Sequence, residues 1–128
     1  MIPRNAPPPT QFFNFDSIIV HKTVKLYSEI RITLRKFPKI DRYALGLRIE
    51  NLILEILELF VLALNKSGKS KLLILEKADV KLKLLKLLIR LSNDYKITAD
   101  NRHIILSEQI VEIGKILGGW IKKAKEKL

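Results

Sequence analysis

Residues 37–64 read FPKIDRYALGLRIENLILEILELFVLAL. The stretch opens on a proline turn and then continues to Leu64 with Gly46 as its one helix breaker. On a 3.6-residue period Leu52, Ile53, Ile56, Leu59, Phe60, Ala63 and Leu64 cover one side. Leu54, Leu57 and Val61 carry the apolar arc past half the circumference, leaving Arg48, Asn51, Glu55 and Glu58 a narrow polar strip. A surface helix needs an apolar stripe about a third of the way round. The surplus implies burial against something beyond the helix's immediate neighbours, which points to assembly through Leu54, Leu57 and Val61.

Working outward from this helix, Phe37-Pro38 closes an earlier one, because proline disfavours helical geometry in the residue before it. That first helix is expected to start at Asp16, a capping carboxylate, with Phe15 and Val20 at staple positions. Val20, Val24, Tyr27, Ile30, Leu34 and Phe37 recur at helical spacing as its core face. Asp41 is the expected cap of the second helix, with Ile40 and Leu45 as its staple. Asn65-Lys66-Ser67-Gly68 breaks the chain before a third helix over about Lys69 to Asn93. Leu73, Val80, Leu84, Leu87, Leu88 and Leu91 form one face of that helix. Ile74, Leu75, Ala78, Leu82, Leu85 and Ile89 form a second strip beside it, so this helix too has surplus apolar surface. A fourth helix starts at Thr98 or Ser107, and Leu106, Ile110, Ile113, Leu117, Trp120 and Ala124 continue one face toward the C-terminus. No segment alternates like a strand. The fold class is all-α, an up-down-up-down four-helix bundle over residues 16–128, preceded by a Pro/Phe-rich arm over residues 1–15. That arm holds four of the five prolines and three phenylalanines, and its first ten residues read as a frayed tail.

The chain of 128 residues is one domain by length, and 48% apolar content supports a proper core. Without cysteine there is no disulfide framework, thiolate nucleophile or Cys-based zinc site, which suits a cytoplasmic protein. Net charge is +11, and residues 69–128 carry 14 basic and 7 acidic side chains against 10 and 6 in residues 1–68. Such a bias fits a polyanionic partner such as nucleic acid, with a solubilising Lys-rich surface as the plainer reading. The N-terminus lacks the apolar run of a signal peptide, and Glu55 and Glu58 interrupt the longest apolar stretch before it reaches membrane-span length. A peripheral membrane role needs a free apolar helix face, whereas each helix here has an obvious bundle partner.

Catalytic constellations are not expected. Gly68-Lys69-Ser70 resembles the end of a phosphate-binding loop, but position 63 is alanine where the motif needs glycine, and no strand precedes it. His21 and His103 stand alone, with no second imidazole at metal spacing. The glutamates lie on amphipathic helices, where they more often pair with Lys and Arg than work as acid and base. Lys83, Lys86 and Arg90, spaced three and then four, form one helical stripe suited to sequence-independent, salt-sensitive phosphate contacts. Lys22 and Lys25 on the first helix are further candidates, and Lys122, Lys123, Lys125 and Lys127 form a solvated tail. Gly114 and Gly118 lie one turn apart, ahead of Gly119 and Trp120. Glycine within a helix costs about 1 kcal/mol against alanine. Close approach of another backbone or a bulky side chain would justify these glycines, within the bundle or between subunits. Trp120 reads as a buried anchor.

FPKIDRYALGLRIENLILEIL, the Lys/Leu-rich third helix and VEIGKILGGWIKK together resemble the accessory variability determinant (Avd) proteins of diversity-generating retroelements. These sit within a wider group of four-helix-bundle proteins that includes the ribosomal-RNA intervening-sequence proteins. The resemblance covers about Asp16 to Lys123. The intervening-sequence branch is the alternative, with a scaffold or interaction role. It tends to follow the shared FPK…RY.LG opening with a Ser/Ala/Asn-rich stretch, where this chain reads IENLILEIL. Avd resemblance implies a non-enzymatic, cofactor-free accessory protein. It implies a barrel-like homopentamer of basic bundles that binds a reverse transcriptase and RNA, DNA or hybrid in mutagenic retrohoming. Lys86 and Arg90 match the placement of the family's third-helix basic residues.

Overall fold

The computed structural model describes residues 17–128, and among these the chain is all α. Four long helices form the expected bundle: α1 (Ile18–Leu34), α2 (Leu47–Leu64), α3 (Gly68–Asp94) and α4 (Asp100–Glu126). The proposed arm, the Asp16 cap and the Phe15 half of the staple lie outside the described residues. Short connections make successive helices antiparallel. α2 and α4 each pack against both α1 and α3, leaving α1 and α3 on a diagonal. At 27 residues, α3 and α4 are the long members, and α1 has 17. Leu26, Leu52, Phe60, Leu75, Leu85 and Leu117 are fully buried at the centre, each contributing about 1.5–3 kcal/mol of burial.

The α2 face is the one expected: Leu52, Ile53, Ile56, Leu59, Phe60 and Ala63 are buried, and Leu64 partly so. Gly46 does not break the helix. The chain enters α2 through a helical turn at Lys39–Asp41 and a π-turn at Arg42–Gly46. A Cβ at Gly46 would sit 3.3 Å from the Asp41 carbonyl oxygen and from Phe37 Cδ2. A side chain there would have to push the Asp41 carbonyl and Phe37 back by a few tenths of an ångström, which favours glycine. Asp41 is not the cap, because helical geometry already starts at Lys39 after Pro38. Ile40 is exposed, so the expected staple does not form.

Two faces are rotated from expectation. In α1 the buried set is Ile19, Val20, Thr23, Leu26, Ile30, Thr33 and Leu34, while Val24 is exposed. Two threonines enter the core because their hydroxyls bond back within the helix. Thr23 Oγ1 donates to the Ile19 carbonyl at 2.7 Å, and Thr33 Oγ1 to that of Glu29 at 3.0 Å. In α3 the second strip is the core, through Leu75, Ala78, Leu82, Leu85 and Ile89, joined by Leu72 and Ser92. Leu73, Val80, Leu87 and Leu91 point to solvent, and Leu84 and Leu88 are half-buried. With two apolar strips of similar strength, the inward one is set by the surfaces of α2 and α4, which hydrophobicity along α3 does not encode.

Neither Thr98 nor Ser107 caps α4, which starts at Asp100. Thr98 is buried, and its hydroxyl lies 2.7 Å from that of Ser92. The Ser92 hydroxyl donates to the Ile89 carbonyl at 2.6 Å, which makes Thr98 the donor to Ser92. Before it, α3 ends in a Schellman motif. Ile97 N–H bonds to the Ser92 carbonyl at 2.8 Å and Lys96 N–H to that of Asn93 at 2.9 Å. The left-handed position, usually glycine, is Lys96 at φ 63°.

Candidate nucleic-acid and partner interface

Lys83, Lys86 and Arg90 all lie exposed on α3. At about 100° per residue they occupy a sector roughly 60° wide beside the strip of Val80, Leu87 and Leu91. Because α3 buries the opposite face, this basic sector and the apolar strip form one continuous outer surface. Asp79 accepts a 2.9 Å hydrogen bond from Lys83 Nζ, and Asp94 stands 3.9 Å from Arg90 Nε. Both are exposed (i, i+4) pairs of the kind worth a few tenths of a kcal/mol, which a phosphate can displace. Lys86 has no carboxylate partner among the described residues. The three cations therefore differ in availability, with Lys86 freest.

Lys22 and Lys25 lie on α1, across the bundle from the α3 sector. Lys22 Nζ donates to Glu112 Oε1 on α4, and that hydrogen bond and charge hold the Glu112 carboxyl below its usual range. Lys25 is exposed and adds a weaker attraction on Glu112. Geometry does not unite these two lysines with Lys83, Lys86 and Arg90. Lys122, Lys123 and Lys125 are exposed on the last turns of α4, where cations complement the helix dipole.

Among the residues expected to pack or assemble, Leu54 is exposed, and Leu57 and Val61 are half-buried. Trp120 is half-buried rather than buried, and it packs within the subunit: its ring centroid lies 6.4 Å from that of Phe60 on α2, and Lys71 Nζ of α3 lies 5.4 Å from its centroid. A Cβ at Gly114 would make ordinary contact with Leu82 Cδ2 at 3.7 Å. At Gly118 and Gly119 a Cβ would meet nothing within 4 Å. Packing inside the described subunit thus leaves Gly118 and Gly119 without a reason to be glycine.

Sequence reading missed the principal polar clamp. Arg102 of α4 donates from Nη2 to Glu29 Oε2 at 2.6 Å and to the Glu29 carbonyl at 3.0 Å, and from Nε to Thr33 Oγ1 at 3.1 Å. Its partners are about seventy residues away, beyond any local pattern. Among the described residues no three His, Asp or Glu side chains group to hold a metal ion, and no helix is long and apolar enough to cross a membrane.

Residues 17–124 match the family model described as bAvd-like. No curated protein matches the chain. The matched span includes all three segments on which the Avd resemblance rests, and that resemblance is borne out.

Proposed function

Since the chain belongs to the bAvd-like family and so is an Avd accessory protein, we propose that it acts without catalysis of its own as a nucleic-acid-binding scaffold. Its partner is the reverse transcriptase of a diversity-generating retroelement, and its role is to support mutagenic retrohoming in the cytoplasm. The observation that carries this reading is the outer surface of α3, where exposed Val80 and Leu87 adjoin Lys83, Lys86 and Arg90. Phosphate contacts from that basic sector would be independent of sequence, as suits a scaffold for RNA, DNA or their hybrid.

Assembly is part of the same proposal. Leu47 and Leu54 on α2, Leu73, Val80 and Leu87 on α3, and Ile104 and Val111 on α4 are all exposed. Val80 keeps 66% and Leu73 61% of its surface open, more than isolated surface residues of a monomer need explain when they recur along three helices. A homopentameric ring would cover such faces and multiply the basic sectors fivefold.

Reconstitution with the retroelement's reverse transcriptase tests the proposal. The purified chain is expected to co-elute with the enzyme as a complex retaining primer–template, and K83A/K86A/R90A to lose the nucleic acid. Separate elution of the two proteins, with and without nucleic acid, would overturn it.

A further inference from the structure

A second basic site lies where α1 ends and the π-turn leads into α2. Arg31 and Arg35 from α1, and Arg42 and Tyr43 from the π-turn, surround a cavity of about 330 Å³. Buried Leu34 and Gly46 supply its apolar floor, and the arginines and Tyr43 are exposed at its rim. No carboxylate among the described residues forms an ion pair with Arg31, Arg35 or Arg42. Arg42 is held in place, since its Nη2 donates to the carbonyls of Arg35 at 3.1 Å and Phe37 at 3.3 Å. The widened turn sets Arg42 and Tyr43 on the cavity edge, and π-turns within helices recur at functional sites.

We infer that this cavity binds a nucleotide through its terminal phosphate monoester, either as a free mononucleotide or as the end of a strand. Three arginines line this one cavity: Arg42 holds the turn through Nη2, and the Arg31 guanidinium lies 6.0 Å from the Tyr27 ring centroid. A phosphate monoester carries two negative charges, and guanidinium matches phosphate oxygens in paired hydrogen bonds. Tyr43 offers an aromatic face for the base. Glu50 also lines the cavity, with one carboxylate oxygen taking a 3.2 Å hydrogen bond from Tyr27. Its remaining capacity can accept from a ribose hydroxyl or a base amine, which distinguishes a nucleotide from inorganic phosphate. A volume near the lower end for small-ligand sites suits one nucleotide, and so a terminus rather than a continuous duplex. This site stands on α1 and the π-turn, and it does not depend on the α3 surface.

The test compares a short 5′-phosphorylated RNA with its 5′-hydroxyl counterpart by fluorescence anisotropy on the full chain. The variants are R31Q/R35Q and K83A/K86A/R90A. Arg31 and Arg35 make no side-chain hydrogen bond among the described residues, and Arg31 touches only the Tyr27 ring, 6.0 Å from its centroid, so R31Q/R35Q keeps the carbonyls of Arg35 and Phe37 that anchor Arg42. The phosphorylated RNA is expected to bind roughly tenfold more tightly to the wild type and to K83A/K86A/R90A, with no preference left in R31Q/R35Q. General charge attraction would instead weaken the preference most in the triple variant, which loses more positive charge. Displacement of the RNA by adenosine monophosphate assigns the site to a free nucleotide, and its failure assigns it to a strand end. Equal binding of the two RNAs by the wild type, or a preference that survives R31Q/R35Q, would overturn the inference.

Discussion

Replacing Gly118 and Gly119 with alanine separates what these glycines do within a subunit from what they do between subunits. Both sit inside α4, exposed, with nothing within 4 Å of the point an alanine methyl would occupy. Within the subunit, each substitution therefore brings only the helix-propensity gain of about 1 kcal/mol. For a domain of this size that is a rise in Tm of roughly 3–6 °C per substitution. Gly114→Ala serves as the reference, since its added methyl meets only Leu82 Cδ2 at an ordinary 3.7 Å. Urea unfolding at dilute protein reads subunit stability, and sedimentation velocity at higher concentration reads assembly. If the α4 glycines admit a neighbouring backbone, G118A and G119A will stabilise the dilute subunit while weakening the assembly, and G114A will leave assembly unchanged. Stabilisation with an unaltered assembly would refute an interface at Gly118 and Gly119. Destabilisation of the dilute subunit would show that the glycines have an intra-subunit role.

Four further outcomes follow from local geometry. Arg102→Ala removes three hydrogen bonds from a pair whose side chains are only 16% and 26% exposed, and urea unfolding should show a loss of about 2–3 kcal/mol. Combining it with Glu29→Gln should cost less than the sum of the two single changes. Gly46→Ala forces a methyl to 3.3 Å from the Asp41 carbonyl and Phe37, so overpacking outweighs the propensity gain and unfolding should show a net loss of about 1–2 kcal/mol. Lys96→Gly relieves the left-handed strain at the Schellman position and should raise stability by about 1 kcal/mol. An NMR titration should place the Glu112 carboxyl midpoint below that of a free glutamate, because Lys22 hydrogen-bonds and attracts the charged form. Because folding depresses that value, the Lys22–Glu112 contribution is present above the usual carboxylate range and is lost as pH falls through the folded midpoint. Glu112→Gln should remove that portion of the pH dependence.

Periodicity revealed the α2 core and the α4 face from Leu106 to Ala124 because each carries one dominant apolar stripe. It failed to orient α3, where two stripes compete and only the neighbouring helices decide which is buried. On α1 periodicity found Val20, Ile30, Leu34 and Phe37 but misplaced Val24 and passed over Thr23 and Thr33, which look polar in sequence, yet their hydroxyls are satisfied by their own helix. The π-turn at Arg42–Gly46 hides behind a glycine that resembles a breaker, and with it the cavity edged by Arg42 and Tyr43. The start of α4 is ambiguous in sequence because Thr98 has cap chemistry but spends it on Ser92. Lys83, Lys86 and Arg90 are legible as a stripe, since spacing alone puts them on one sector. The pairing of Lys83 with Asp79 and of Arg90 with Asp94 depends on side-chain conformations that spacing does not specify.

The most direct test of a nucleic-acid scaffold is fluorescence anisotropy of labelled RNA, DNA and hybrid duplexes over a salt series, for the wild type and K83A/K86A/R90A. A scaffold using the α3 surface predicts affinity that falls steeply with salt. It also predicts a logarithmic slope shallower by about 2–3 in the variant, near 0.7–0.9 for each phosphate that is no longer neutralised. No binding by the wild type at low salt, or a slope and affinity unchanged in the variant, would contradict it.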